Sequence, residues 1–257
     1  PSWLTNITIC GEDRDNTIIT WDDHANIKMP VGGLDSEAAV KGKPMGTFRT
    51  YTLKVQGSYI TLKNITIENN AAKLGQAVSL HLEGDHILVQ NCRLLGNQDT
   101  VYTGIANNRS AFYDCYIEGT TDFIFGPGRA WFENCEIRSK ANSYITAASS
   151  PAGQEYGYVF NKCKLTAEPG VDKVYLGRPW RPYAATLFMN CEMGSHIRPE
   201  GWHNWGKQSN EQTARYSEYN NHGAGAATKG RVAWSRQLTK KEAAKVTIKN
   251  VFGEEAW

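Results

Sequence analysis

Two aspartates occupy the same position in consecutive units of a repeated sequence pattern. Asp99 lies seven residues after Cys92, and Asp122 lies seven residues after Cys115. If the units stack in register, the two side chains lie side by side, with Cα atoms roughly 5 Å apart. Carboxyl groups this close tend to share a proton, so one can act as an acid while the other stays ionised. The alternative interpretation is that both aspartates only cap turns.

Other side chains near these aspartates fit the same kind of chemistry. Gln98 precedes Asp99, and Gln76 lies in the preceding unit. Glutamine amides are suitable donors to an oxyanion. Arg178 can hold a carboxylate through two parallel hydrogen bonds, and Trp180 offers a flat face for the C–H side of a sugar ring. Each of these signals is weak alone, because a lone glutamine or tryptophan is usually a packing or surface residue.

The repeat that would position these residues runs apolar, any, Asn/Asp/Lys, Cys/Ile, any, apolar. It occurs at residues 4–9, 62–67, 89–94, 112–117, 132–137, 160–165 and 188–193. Its fourth positions are separated first by 58 residues and then by 27, 23, 20, 28 and 28 residues. We expect the long first interval to hold one further turn of chain around Ile18–Trp21.

A period of 20 to 28 residues with short apolar alternation is typical of a solenoid. Leucine-rich repeats share this period, but their LxxLxL spacing and helical segments are absent from the sequence. The pattern instead favours an all-β fold, a right-handed parallel β-helix in which each coil buries apolar side chains against the next. Because no linker interrupts the pattern, we expect residues 1–257 to form a single domain.

The cysteines follow the repeat rather than any metal-binding pattern. The six cysteines include no CxxC pair and no Cys/His cluster, so we expect no metal site. They can form a reduced ladder inside the solenoid, because free cysteine behaves as a small buried hydrophobe. The coil spacing also allows a disulfide between Cys115 and Cys135. The sequence leaves both interpretations open.

A short helix is expected close to the C-terminus. Thr239 is followed three residues later by Glu242, which is the spacing of a capping box. The helix would begin after Thr239 and either cover the end of the solenoid or pack along its side, since open strand edges invite pairing.

Composition and charge exclude two classes of partner. Hydrophobic residues make up 40% and charged residues 21% of the chain, as in ordinary globular proteins. The formal net charge of +2, with Lys and Arg scattered among acidic residues, argues against a nucleic-acid-binding face. No apolar run approaches the roughly 18 to 20 residues needed to span a bilayer. A weakly basic surface is compatible with an acidic polysaccharide.

Four segments around the candidate residues resemble, in order and spacing, the successive motifs of pectin methylesterases. They are Gln76-Ala77-Val78, Gln98-Asp99-Thr100-Val101-Tyr102, Asp122-Phe123-Ile124-Phe125-Gly126 and Leu176-Gly177-Arg178-Pro179-Trp180. Similar segments at 199–202 and 218–226 extend the resemblance over nearly the whole chain. Val101 and Ser79 depart mildly from the usual Leu and Ala. The family's early Gly-x-Tyr-x-Glu motif would lie just before Pro1, so we expect the family's first coil to be absent from this chain.

The resemblance implies a role for each residue. Asp122 is the nucleophile that attacks the C6 carbonyl of a methylated galacturonate, and Asp99 protonates the departing methanol and then activates water. Gln98 and Gln76 stabilise the oxyanion, and Arg178 orients Asp122 and keeps it ionised. The residues implied for the sugar groove are Trp180, Phe125, Tyr102, Trp205 and Thr47.

The resemblance also implies the setting of the reaction. It implies methylated homogalacturonan as the partner, no metal or organic cofactor, a monomer, and a secreted or extracytoplasmic location. Rival functions are a calcium-dependent lyase or polygalacturonase acting on the same polymer, a non-catalytic polysaccharide-binding β-helix, and an esterase for acetyl groups. Release of methanol from methylated pectin, with and without EDTA, separates them.

Overall fold

The computed structural model describes residues 1–29 and 42–253, whose strands form three parallel sheets. Apart from the last two strands, which lie in the same sheet, successive strands go to different sheets, so each full coil gives one strand to each sheet. The nine-stranded sheet contains β1 (Thr5–Cys10), β4 (Ser58–Lys63), β7 (Ile87–Gln90), β10 (Arg109–Tyr113), β13 (Arg129–Glu133), β16 (Tyr158–Asn161), β19 (Ala185–Met189), β21 (Arg215–Tyr219) and β22 (Arg236–Gln237). The seven-stranded sheet contains β2 (Ile18–Trp21), β5 (Thr66–Asn69), β8 (Arg93–Leu95), β11 (Tyr116–Gly119), β14 (Glu136–Ser139), β17 (Lys164–Ala167) and β20 (Glu192–Met193). The six-stranded sheet contains β3 (Leu53–Val55), β6 (Leu80–Leu82), β9 (Val101–Thr103), β12 (Ile124–Gly126), β15 (Tyr144–Ala148) and β18 (Tyr175–Gly177).

The predicted all-β parallel β-helix is confirmed by these pairings. Neighbouring strands in all three sheets are parallel, and crossover connections between parallel strands are right-handed in nearly all proteins. Helical segments are short: two 3₁₀ turns at Thr47–Arg49 and Gln208–Gln212, and helices α1 (Lys240–Ala243) and α2 (Ile248–Phe252). Within the described residues, none of these helices has the length and apolar character needed to cross a membrane.

Equivalent side chains of successive coils stack inside the solenoid. The first position of the repeat forms a ladder of four phenylalanines, all fully buried. The ring centroids of Phe112 and Phe132 are 4.6 Å apart, and the next two pairs, which reach Phe160 and Phe188, are each 4.3 Å apart. Each coil buries its ring only against its neighbours, so the same position must be apolar in every coil.

The fourth position of the repeat forms a second ladder, made of Ile65 and five cysteines. The residue after each cysteine donates its backbone N–H to the carbonyl of the preceding ladder residue, at 2.8 to 3.0 Å. All of these cysteines are buried free thiols, and burial raises the pKa of Cys92 to about 12. The structure therefore has the reduced ladder. Cys115 and Cys135 form no disulfide, and their thiols donate to backbone carbonyls of the preceding coil at 3.4 and 3.5 Å.

The six-residue repeat marks a corner between two strands. Its third residue adopts a left-handed backbone conformation, with φ of 54° at Asn64, 50° at Asn91, 55° at Asn134 and 55° at Asn190. Asparagine is one of the few non-glycine residues that tolerate this conformation. The Asn91 amide also donates to the Asn64 side-chain oxygen at 2.9 Å, which links two corners. The repeat thus specifies where each coil turns from the nine-stranded to the seven-stranded sheet.

The register expected for the first repeat is wrong. Thr5 pairs with Ser58, so Ile9 is the partner of Leu62. The segment at 4–9 lies almost entirely within β1, where Asn6 is equivalent to Tyr59 of β4, and these two residues have left-handed φ values of 56° and 57°. The further turn expected around residues 18–21 is wrong as well, because these residues form β2, the seven-stranded-sheet strand of the same first coil.

The C-terminal segment packs along the side of the solenoid. The predicted capping box is confirmed: Thr239 accepts from the Glu242 N–H at 3.3 Å, and its own N–H donates to the Glu242 carboxylate at 2.7 Å. Helix α2 was not predicted. Its buried residues Val251 and Phe252 pack against Trp131 on the outer face of the nine-stranded sheet. The C-terminal helices therefore cover this face rather than an end of the coil stack.

Candidate active site

The two aspartates lie just before neighbouring strands of the six-stranded sheet. Val101 of β9 pairs with Ile124 of β12, which puts Asp99 and Asp122 two residues before a paired position on adjacent coils. The Asp99 N–H donates to the carbonyl of Thr121 at 3.1 Å, so the stacking of the coils continues up to the aspartates. This is the register that the repeat predicts.

Backbone conformation explains why these aspartates face outward. Residues two apart in a strand face the same side, and Val101 and Ile124 are fully buried in the core. Asp99 and Asp122 nevertheless line a surface cleft. Both adopt a left-handed φ, 66° and 51° respectively, which breaks the alternation before each strand begins. Aspartate tolerates this conformation better than most residues do.

Arg178 makes the pair of carboxyl groups asymmetric. It follows β18, and its Nε and Nη2 atoms donate to the two carboxylate oxygens of Asp122 at 2.9 and 2.7 Å. Such parallel hydrogen bonds fix both the position and the plane of a carboxylate. Among the described residues, none donates a hydrogen bond to the side chain of Asp99. Asp122 is thus a held carboxylate, and Asp99 remains available to a ligand.

The surroundings give the two carboxyl groups different pKa values. Burial, and then the neighbouring charge of Asp122, raise the pKa of Asp99 well above its ordinary value. Burial also raises the pKa of Asp122, but the hydrogen bonds and charge of Arg178 oppose this rise. Asp99 is therefore the group that keeps a proton, and Asp122 the group that ionises first. An acid beside an ionised carboxylate is the division of roles that the sequence predicts.

The two glutamines lie beside the aspartates on adjacent coils. Gln76 and Gln98 pair through a parallel bridge, and the N–H of Ala77 donates to the Gln98 carbonyl at 3.0 Å. Both side chains are half-buried and line the cleft. Within the described part of the chain, neither amide group is hydrogen-bonded to a protein atom. Both amides can therefore donate to a ligand in the cleft.

The cleft has a volume of about 310 Å³ and an aromatic wall. It brings together the five residues predicted for catalysis and four of the five predicted for sugar binding. The lining residues are Thr47, Phe48, Gln76, Gln98, Asp99, Asp122, Phe125, Ala147, Arg178, Trp180 and Trp205. Tyr102 does not line it, but packs beneath it, with its ring centroid 4.7 Å from that of Phe125.

Sequence reasoning missed Phe48, Ala147 and Tyr144. Phe48 lies next to the predicted Thr47 and is 45% exposed, so its adjacency was the available signal. Ala147 carries no chemical signal. Tyr144 does not line the cleft, but its ring covers the guanidinium of Arg178 at 3.9 Å.

The charged side chains that line the cleft are Asp99, Asp122 and Arg178. Within residues 1–29 and 42–253, the structure has no group of three or more His, Cys, Asp or Glu side chains that could hold a metal ion. The chemistry that the cleft residues themselves can supply is attack by a carboxylate, proton transfer by a second carboxyl group, and stabilisation of an oxyanion by amides.

Comparison with known proteins identifies relatives along the whole chain. A family model described as Pectinesterase matches residues 2–255. Pectinesterase 31 from Arabidopsis thaliana is 38% identical over 239 residues, covering 92% of this chain and 73% of that protein. The chain spans 60% and 43% of the length of two other curated relatives.

Solved structures lead to the same family. The pectin methylesterase from carrot has a TM-score of 0.86 and 30% identity, over 99% of this chain and 79% of that chain. A pectin methylesterase in complex with a hexasaccharide has a TM-score of 0.82 and 28% identity, over 98% of this chain and 84% of that chain. With a family model that matches nearly all residues and structures this similar, the chain belongs to the pectinesterase family.

Proposed function

We propose that this chain hydrolyses methyl esters of galacturonate units in pectin, with Asp122 as the nucleophile and Asp99 as the acid–base group. The observation that carries the proposal is the asymmetry of the carboxyl pair. Arg178 holds Asp122 by two hydrogen bonds, while Asp99 has no such partner among the described residues. The relatives named pectinesterases, and a methylesterase bound to a hexasaccharide, support the choice of ester and polymer.

In the first half of the proposed reaction, a carboxylate oxygen of Asp122 attacks the C6 carbonyl carbon of a methylated galacturonate. The carbonyl electron pair moves to oxygen, and the amides of Gln76 and Gln98 donate hydrogen bonds to this oxyanion. As the tetrahedral intermediate collapses, the bond to the methoxy oxygen breaks and that oxygen takes the proton of Asp99. Methanol leaves, and an anhydride joins the substrate to Asp122.

In the second half, Asp99 acts as a base. It takes a proton from a water molecule, whose oxygen attacks the same C6 carbon. The anhydride bond breaks, Asp122 leaves as a carboxylate held again by Arg178, and Asp99 is protonated as at the start. The sum is ester plus water to acid plus methanol. The raised pKa of Asp99 supports its starting protonation.

The proposed substrate is methylated homogalacturonan, bound as a single strand across the cleft. Phe48, Phe125, Trp180 and Trp205 offer apolar ring faces to the C–H sides of the sugars. Because the polymer lies outside the cytoplasm, we propose a secreted or extracytoplasmic site of action. We also propose that the chain acts as a monomer and as one domain.

The test is methanol release from highly methylated pectin, measured with and without EDTA. We expect methanol release unaffected by EDTA, with the polymer uncut, and a fall of at least about a hundredfold in Asp122→Asn. Asp114→Asn is the matched control, because Asp114 is exposed and has a similar left-handed φ of 54°. Unsaturated products that EDTA abolishes would instead indicate a lyase. Binding without methanol release would indicate a non-catalytic protein.

A further inference from the structure

The guanidinium of Arg178 lies between two aromatic rings. Its Cζ atom is 3.9 Å from the ring centroid of Tyr144 and 3.9 Å from that of Trp205. Both distances lie well inside the roughly 6 Å limit of a cation–π contact. Asp122 binds the edge of the same group, through Nε and Nη2. The rings therefore occupy the faces of the guanidinium, and the carboxylate occupies its edge.

Both rings are themselves held in place. Tyr144 stacks on Tyr175, with ring centroids 5.3 Å apart and planes 12° apart. The imidazole of His203 packs at 5.3 Å from each of these two rings. Nδ1 of His203 also accepts the backbone N–H of Trp205 at 3.0 Å, which stabilises the left-handed φ of 63° at Trp205. Each face of Arg178 thus meets a ring that has its own support.

We propose that Tyr144 and Trp205 are positioning residues that clamp Arg178 in the plane in which it meets Asp122, and that the side chain of Tyr144 acts on the reaction only through Arg178. The inference rests on the proposed function of Asp122 as nucleophile. An arginine side chain has several rotatable bonds, and Arg178 is 21% exposed, so two hydrogen bonds alone leave it other orientations. Rings on both faces remove those orientations before substrate arrives.

Tyr144 is the residue that separates positioning from substrate contact. Trp205 lines the cleft, so its substitution would affect both the clamp and the sugar site. The side chain of Tyr144 touches the guanidinium but does not line the cleft. The backbone carbonyl of Tyr144 accepts the Asp122 N–H at 2.8 Å, and this bond does not depend on the side chain. A change at Tyr144 that acts through Arg178 should lower kcat and leave KM nearly unchanged.

The clamp also predicts a change in pH dependence. Arg178 opposes the effect of burial on the pKa of Asp122, so a looser Arg178 leaves that pKa higher. Asp122 must be ionised to attack, and the acidic limb of the pH–rate profile should therefore move to higher pH. The other titratable groups that contact Arg178 or interact electrostatically with it are Asp99, Tyr144, His203 and Tyr216.

The experiment compares Tyr144→Leu with Tyr144→Phe, which keeps the ring. We expect Tyr144→Leu to lower kcat by about tenfold and to move the acidic limb to higher pH, with KM changed less than about twofold. Tyr144→Phe should match the wild type in kcat, in KM and in the position of the acidic limb. Tyr116→Leu is the matched control, because Tyr116 also lies near an arginine, at 5.5 Å from Arg93, but outside the cleft.

Two further measurements test whether the Tyr144 side chain acts through Arg178. In an Arg178→Gln background, Tyr144→Leu should cause no further loss of kcat, whereas a second tenfold loss would overturn the proposal. The NMR signal of the Arg178 Nε–H, assigned by its absence in Arg178→Lys, should lose its ring-current shift in Tyr144→Leu and keep it in Tyr144→Phe.

The NMR measurement needs no catalysis, so it tests the clamp even if the wild type releases no methanol. If Tyr144→Leu does not fold, Tyr144→Val takes its place, because a β-branched residue suits strand β15. An unchanged Nε–H signal, or a loss confined to KM, would show that Tyr144 does not position Arg178.

Discussion

Replacing Asp99 by Asn should both inactivate the protein and stabilise it at neutral pH. The pKa of Asp99 is raised well above its ordinary value, by burial and then by the charge of Asp122. Between the ordinary value and the raised one, the folded state binds more protons than the unfolded state, so stability falls as pH rises through that window. Asparagine has no proton to lose, and it tolerates the left-handed φ of 66° at this position.

The size of the gain follows from the geometry. Asp99 is 8% exposed and Asp122 is 6% exposed. If the coil spacing of about 5 Å is taken as the separation of the two carboxylates, they repel by roughly 3 kcal/mol at an effective dielectric constant near 20. Because Arg178 offsets part of this repulsion, we expect a net gain of about 1–2 kcal/mol. That corresponds to a rise in Tm of about 2–8 °C for a domain of this size.

The assay is thermal unfolding of the wild type and Asp99→Asn between pH 3 and pH 8, alongside methanol release. The difference in Tm should be near zero below the ordinary pKa of aspartate and should grow as pH rises. Asp114→Asn, at an exposed turn with a φ of 54°, should stay within about 1–2 °C of the wild type throughout. An Asp99→Asn protein that melts at or below the wild-type temperature at pH 8 would refute the reasoning. So would a gain that is the same at every pH.

Further substitutions have distinct expected outcomes. Asp122→Asn should lower Tm in thermal unfolding, the opposite sign from Asp99→Asn, because Arg178 loses a charged partner in a site where breaking a buried pair costs up to about 3–5 kcal/mol. Gln98→Leu should lower kcat for methanol release by about 10²–10³ with little change in KM, and a change in KM alone would contradict an oxyanion role. Trp180→Ala should raise KM by up to about tenfold, corresponding to an aromatic contact of about 0.5–1.5 kcal/mol. Trp21→Ala, whose side chain is 57% exposed on another sheet, is the control and should leave KM unchanged.

The register of the aspartates could be predicted because equivalent corners of adjacent coils can be counted from the cysteines. The count works where the third residue of the repeat lies at the same corner, as at Asn64 and Asn91. It failed for the first coil, because Asn6 adopts the same left-handed conformation inside β1, at the position equivalent to Tyr59 of β4. A residue that tolerates a left-handed conformation therefore does not by itself show whether it lies at a corner or within a strand.

Residues without a repeated spacing could not be predicted in the same way. Phe48 reaches the cleft from a 3₁₀ turn that precedes β3, and Tyr144 reaches Arg178 by contact between different coils. The cysteine ladder shows a second limit. The spacing of adjacent coils is compatible with both thiols and disulfides, so the sequence does not predict that Cys115 and Cys135 are free thiols, as they are in the structure.

The unequal repeat intervals show where the solenoid accommodates changes in chain length. Only residues 127–128 join β12 to β13, whereas residues 149–157 join β15 to β16, yet the strands on both sides remain parallel neighbours. Length is therefore absorbed at the corners and does not propagate into the ladders. Insertions at such corners therefore leave the alignment of Asp99 and Asp122 unchanged.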